Sequence, residues 1–151
     1  MSFEARPHTR WTRLRVAVNW INLSTPFGLS MAVIGGARLR RGQRGTYLAP
    51  GYRWRFPIGG AFAVGNVILT RHDLDWLEDR PIVMRHEDRH CTQYSWCLGI
   101  VMVPLDGLAM AFSWVVAGDF SSYNPFERTA GLSDGGYPPP TTRLSRRATR
   151  R

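Results

Sequence analysis

The 151-residue chain contains no lysine, only two cysteines and only four histidines. The absence of lysine beside 20 arginines indicates a coding bias toward arginine rather than selection for phosphate binding. Cys91 and Cys97 are six residues apart on a predicted helix, which puts their Cα atoms about 9 Å apart, too far for a disulfide. We therefore expect both thiols to be reduced, with Cys91 serving as a packing residue rather than a metal ligand.

Charge is distributed unevenly along the chain. Residues 1–55 contain ten arginines and one acid, Glu4, whereas residues 56–134 contain five arginines and ten acids, and residues 135–151 add five arginines. Hydrophobic residues make up 44% of the chain, which excludes disorder throughout. These features predict a basic segment at 1–15, a single domain at 16–134 and a disordered Pro/Arg-rich tail at 135–151.

The arginines alone do not indicate a nucleic-acid-binding protein. No recognition motif accompanies them, and the tail after Pro138-Pro139-Pro140 is typical of a solvated segment. The sequence therefore argues against nucleic acid as a partner.

The chain also lacks a clean membrane-spanning run. Trp96 to Gly118 is apolar with one charge, Asp106, but Pro104, Asp106 and Gly107 divide it, which predicts two packed helices or a shallow hairpin on a membrane surface. Val16 to Ala37 is apolar too, but several of its residues exclude a signal sequence or span. These residues are Asn19, Asn22, Ser24, Thr25 and Pro26. Flanking arginines favour a cytoplasmic protein with a peripheral membrane contact.

Three segments of the N-terminal half are rich in aromatic and β-branched residues and are separated by glycines. They are 46–48, 53–56 and 61–70, and they predict a mainly β N-terminal half with a small antiparallel sheet. Ala63 to Leu69 is either an edge strand that holds an extended peptide or a plain core strand. Asp73 to Leu77 predicts a short helical turn, and His72 beside it is either a surface histidine or an aid to an oxyanion.

Positive evidence for function begins at Arg85-His86-Glu87-Asp88-Arg89-His90, which contains an HExxH pattern. Pro81 suits a first helical turn, and no proline or glycine follows until Gly99. On a helix, His86 and His90 share one face and can bind one ion, while Glu87 is placed to take a proton from a water on that ion. The alternative is a solvated helix on which the three residues meet by chance.

A third ligand must come from elsewhere, because catalytic zinc usually takes three protein ligands. The metzincin extension is excluded, since no third histidine and no glycine follow at the required positions. Glu127 in Asn124-Pro125-Phe126-Glu127 lies in the first turn of a predicted second helix, although Asn124 and Glu127 also fit a capping box. Asp119 and Asp134, each in a glycine-flanked loop, are alternative ligands.

The His86–His90 helix followed by Glu127 resembles the gluzincin branch of the zincin metallopeptidases, over roughly residues 81–130. The chain is also similar to small uncharacterised bacterial proteins with a HExRHxxQY helix, here His86 to Tyr94, and a later NPFE turn. The resemblance implies a minimal zincin-like α+β fold, His86, His90 and Glu127 as ligands of Zn²⁺, and Glu87 as general base.

These residues predict a zinc-dependent metallohydrolase that cleaves an amide bond of a peptide or protein substrate. The metal lowers the pKa of water, Glu87 transfers the proton to the leaving amine, and Tyr94 and Tyr123 are candidates to stabilise the oxyanion. The alternative is a non-catalytic metal-binding or membrane-associated structural protein with basic termini. The presence of Glu87 favours catalysis, because a structural site has no use for a general base.

Overall fold

The computed structural model describes residues 8–55 and 59–140. The chain divides into two compact units, the first ending at Ile100 and the second beginning at Val101. The predicted tail from residue 141 onward and the first seven residues of the predicted basic segment lie outside the described residues.

The described residues of the first unit form four α-helices and a small sheet. The helices are α1 (Arg10–Ile21), α2 (Ser24–Ile34), α3 (Leu74–Glu78) and α4 (Pro81–Trp96), and the strands are β1 (Arg40–Arg41), β2 (Tyr47–Ala49), β3 (Ala61–Val64) and β4 (Val67–Thr70). A 3-10 turn at Gln43–Gly45 precedes β2. The predicted α+β class is confirmed, but the expectation of a mainly β N-terminal half is wrong, because residues 10–34 form two helices. Thr9 caps the first of them by accepting a hydrogen bond from the Thr12 N–H.

The sheet is mixed, with the strand order β1-β2-β4-β3. Two pairs are antiparallel as expected, whereas β2 and β4 are parallel, with Leu48 opposite Ile68. Every residue of β4 is buried, as is typical of a central strand with apolar residues on both faces.

Two strand predictions need correction. Residues 63–69 are not one edge strand but a hairpin that turns at Gly65 and Asn66, with β3 at the edge and β4 inside the sheet. Residues 53–55 carry no strand, and the end of that predicted segment, Phe56, lies outside the described residues. Trp54 in this segment is partly exposed, and its ring lies 5.9 Å from that of the buried Tyr52.

Helix α4 packs on β3 and on α1 and α3. Cys91 of α4 is buried in a core cluster with Leu48, Ile68 and Leu77, and Tyr94 of the same helix is buried as well. The predicted short turn is confirmed as α3, capped by the side chain of Asp73. Because one face of α4 is buried in this core, the rotation of the helix about its axis is fixed, and so are the directions of its other faces.

The second unit contains α5 (Met102–Ala117) and α6 (Pro125–Ala130). The predicted division of the apolar segment at Pro104 is wrong, because one continuous helix runs through Pro104, Asp106 and Gly107. Pro104 is tolerated because it lies in the first turn of α5, where a proline costs little. With the preceding 3-10 turn, Gly99–Ala117 forms one helix that is long and apolar enough to cross a membrane by length and composition.

Candidate metal site

The HExxH residues of α4 are buried. His86, Glu87 and His90 are 3%, 4% and 9% exposed. A solvated helix with a chance pairing of histidines is therefore excluded. Burying two imidazoles and a carboxylate is unfavourable unless each has partners, so their joint burial needs a chemical explanation.

The two imidazoles face each other along one side of α4. The Nε2 atoms of His86 and His90 lie 3.0 Å apart, and the rings are nearly perpendicular, at 83°. Two nitrogens bound to one tetrahedral zinc at 2.0–2.1 Å would lie about 3.3 Å apart. The observed separation is within a few tenths of an ångström of that value, and it also suits one imidazole N–H donating to the other ring.

Gln93 determines which nitrogen of His90 carries a proton. The Nδ1–H of His90 donates to Oε1 of Gln93 over 2.8 Å, because a carbonyl oxygen can only accept. In the neutral ring this leaves the Nε2 lone pair directed at His86, the form that binds a metal. Gln93 is the Q of the HExRHxxQY pattern, but the sequence predicts no role for it, although residues three apart on a helix are neighbours.

Two arginines form salt bridges with α4 through Asp88, the residue that follows Glu87. Asp88 accepts from Nη1 of Arg15 at 2.6 Å and from Nη1 of Arg44 at 2.7 Å. Arg15 belongs to α1 and is only 4% exposed, and its Nη2 also donates to the carbonyl oxygen of Arg44. Charge-assisted bonds from two directions fix the rotation of α4 at the centre of the HExxH pattern.

A buried amide cluster positions α4 one turn further on. The Asn19 side-chain amide donates to the carbonyl oxygen of Cys91 at 2.8 Å and to Oδ1 of Asn66 at 3.0 Å. Asn66 in turn donates to the hydroxyl of Thr25. Polar residues that argue against a signal sequence, Asn19 and Thr25, thus connect α1, α2 and the β3–β4 turn to α4.

The two cysteines agree with the sequence prediction. Both are free, and burial raises the pKa of the Cys91 thiol well above its usual range, despite the opposing effect of Arg15. A protonated thiol in the core is a packing group, as predicted. His72 is confirmed as a surface residue, stacked on Trp76 with ring centroids 4.1 Å apart.

Within the second unit, Glu127 lies in the first turn of α6. Asn124 caps this helix, but its side chain accepts from the Phe126 N–H, and its own N–H donates to the carbonyl oxygen of Ser121. In a capping box that N–H would bond to Glu127. The box that competed with a ligand role for Glu127 is therefore not formed.

Asp106 and Asp119 have local roles in the second unit. Asp106 accepts from the Asn124 amide at 2.7 Å, which connects α5 to the start of α6. Asp119 accepts from the N–H groups of Ser121 and Ser122 and from the Ser122 hydroxyl. These bonds organise a turn, which argues against Asp119 as a ligand. Asp134 lies in the turns that follow α6.

The two tyrosines differ in setting. Tyr94, one turn after His90, is buried, and its carbonyl oxygen accepts from the Asn22 amide. Tyr123 is half-buried; its N–H donates to the Ser113 hydroxyl, and the Arg128 guanidinium lies 5.9 Å from its ring centroid. Neither observation tests a role at an oxyanion, which stays a prediction.

As a donor set, His86, His90 and Glu127 could hold a metal ion. Two imidazoles and one carboxylate suit a divalent transition metal better than calcium or magnesium, which prefer oxygen ligands. Comparison with protein-family models, with curated proteins and with solved structures finds no match to this chain.

Proposed function

We propose that the protein is a metal-dependent hydrolase that cleaves peptide bonds, with zinc held by His86, His90 and Glu127. The observation that supports this proposal is the donor set itself: the two buried imidazoles, with Nε2 atoms 3.0 Å apart, and the Glu127 carboxylate could hold one metal ion. Gln93 supports it by holding His90 in the metal-binding tautomer. Three protein ligands are what a catalytic zinc site uses, with the fourth position left to water or substrate.

A zinc ion at this site would lower the pKa of water toward about 7 and polarise a substrate carbonyl. Glu87 is the general base in the proposal: its carboxylate takes the proton of the attacking water and passes it to the leaving amine. The hydroxyls of Tyr94 and Tyr123 donate to the oxygen that gains negative charge. A buried carboxylate at the second HExxH position supports this assignment, because a purely structural site gains nothing from it.

The substrate we propose is an extended peptide segment. Strand β3 lies at one edge of the sheet, and α4 packs against it. An edge strand offers main-chain N–H and carbonyl groups that can pair with an extended peptide. A strand-shaped substrate paired with β3 would lie beside the helix that carries His86, Glu87 and His90.

A second candidate is a non-catalytic polar core, and the same 3.0 Å distance favours it. A proton shared between His86 and His90 satisfies both Nε2 atoms without an ion. In that case the residues of α4 stabilise the fold, and the protein has a structural or membrane-associated role.

Metal content measured by elemental mass spectrometry separates the two candidates. We expect about one zinc per chain in the wild type and in Glu87→Gln, and its loss in His86→Ala and Glu127→Ala. His72→Ala and Glu78→Ala are matched controls, since both residues are exposed, and they should retain the metal. No bound metal in the folded wild type after zinc addition would overturn the proposal.

Hydrolysis is tested on the same set of proteins. We expect the zinc-loaded wild type to cleave unfolded protein substrates and Glu87→Gln to lose this activity while keeping its zinc. Equal cleavage by both proteins would remove Glu87 from the mechanism, and zinc binding without any cleavage by the wild type would leave a structural metal site.

A further inference from the structure

Four large apolar side chains lie at one end of the first unit and are mostly exposed. We define this apolar tip as Ile21 (81% exposed), Leu23 (63%), Trp96 (80%) and Leu98 (77%). Soluble proteins rarely leave so much contiguous apolar surface in water without a partner.

The structure shows that the four residues belong to one surface. Asn22, between Ile21 and Leu23, donates from its amide to the carbonyl oxygen of Tyr94 at 3.2 Å. A Cβ on Gly99 would lie 2.4 Å from Cγ of Asn22. The α1–α2 corner therefore contacts the chain on both sides of Trp96 and Leu98.

The backbone at the tip is unusual at the two exposed leucines. Leu23 and Leu98 have left-handed backbone conformations, with φ of 66° and 54°, which leucine seldom adopts. Such conformations persist where the surrounding structure enforces them, and they concentrate at functional surfaces.

We propose that the apolar tip inserts into the surface of a lipid bilayer. No charged residue occurs in residues 16–37 or in residues 91–105, so insertion of the two segments that form the tip would carry no charge into the apolar phase, where a charge is costly. Tryptophans such as Trp96 and the nearby, partly exposed Trp20 favour the membrane–water boundary.

The continuation of the chain also favours lipid. The residue after Leu98 begins the helical segment Gly99–Ala117, which has a mean hydropathy of 1.9 and is only 17% buried over its apolar window. A core helix of a soluble protein would be mostly buried. Along the chain, Leu98 of the tip is therefore followed immediately by a second apolar, exposed segment. This inference does not depend on the proposed metal chemistry.

Flotation of the full chain with phosphatidylcholine vesicles tests the proposal, with the double variant Leu23→Asn/Leu98→Asn as the probe. Asparagine tolerates the left-handed conformation better than leucine, so this variant removes apolar surface without straining the fold. We expect wild type to float and the variant to partition at least about tenfold less, as losing two buried leucines implies. Ile82→Asn, at the opposite end of α4 and 51% exposed, is the matched control and should float like wild type.

The other outcomes overturn the proposal. Failure of folded wild type to float, or equal flotation of wild type and the tip variant, would remove the tip as the lipid contact. Binding only to vesicles that contain phosphatidylglycerol, and only at low salt, would show that the arginines and not the tip make the lipid contact. Self-association of wild type that the tip variant abolishes, in the absence of lipid binding, would show that a second copy covers the tip.

Discussion

At the scale of single residues, Gln93 has a role that the HExxH pattern does not contain. Its Oε1 accepts the Nδ1 proton of His90 and so reserves Nε2 for a ligand. Outer contacts of this kind typically change metal affinity by about 10–100-fold. We expect Gln93→Leu to bind zinc about tenfold or more weakly than wild type, measured by competition with a chromophoric chelator.

Gln93→Glu is the control for this prediction, because it keeps an acceptor in the same place and should retain most of the zinc affinity. Unchanged affinity in Gln93→Leu would show that the tautomer of His90 is fixed without Gln93. The far-ultraviolet circular dichroism of both variants verifies that α4 remains folded.

The sequence predicts the residues of the motif but not the contacts that hold them. His86, Glu87 and His90 follow from helical spacing, which is a local property. The bonds from Arg15 and Arg44 to Asp88 join residues 73 and 44 positions apart, and no local pattern encodes such pairs. Sequence reasoning therefore places the motif on a helix and leaves the orientation of that helix undetermined.

At the scale of elements, the β3–β4 hairpin depends on a close approach at its turn. A Cβ on Gly65 would lie 2.4 Å from the backbone nitrogen of Thr25, and Gly65 has a φ of 61°. Gly51 has a similar φ of 75°, but a Cβ there would meet nothing within 4 Å. The two positions share the backbone conformation and differ in crowding.

We expect Gly51→Ala to lower the free energy of unfolding by about 1 kcal/mol, the cost of a left-handed alanine. Gly65→Ala should lower it by about 1–3 kcal/mol more, because the added methyl overpacks the contact with α2. Urea denaturation of the two variants beside wild type measures the difference. Equal losses would mean that the turn and α2 can separate at little cost.

The errors in predicting elements have a common physical origin. The sequence predicts a mainly β N-terminal half and gives Asn19 and Thr25 no role beyond excluding a signal sequence or span. In the structure both lie in helices, Asn19 in α1 and Thr25 in α2, and both are partners in the buried cluster with Asn66. In the same way, Pro104 was interpreted as a helix break, whereas its place in the first turn of α5 makes it harmless.

At the scale of the whole molecule, the proposed metal site and a membrane-crossing α5 exclude each other. His86 and His90 precede the segment Gly99–Ala117, and Glu127 follows it. Nineteen helical residues span about 28 Å, close to the thickness of a bilayer core of about 30 Å. If this segment crossed a bilayer, the histidines and Glu127 would lie on opposite sides and would not share an ion.

We therefore expect residues on both sides of α5 to be reachable from the same face of a membrane. Glu78→Cys and Ser133→Cys, two exposed positions, are introduced singly into a Cys97→Ser background, in which the buried Cys91 serves as an unlabelled reference. When the protein is bound to sealed vesicles from outside, a membrane-impermeant maleimide should modify both positions. Labelling of only one of them, with the other reached only after detergent is added, would establish a spanning α5. That result would remove Glu127 from the ligand set, and the close approach of His86 and His90 would then be explained by a proton shared between them.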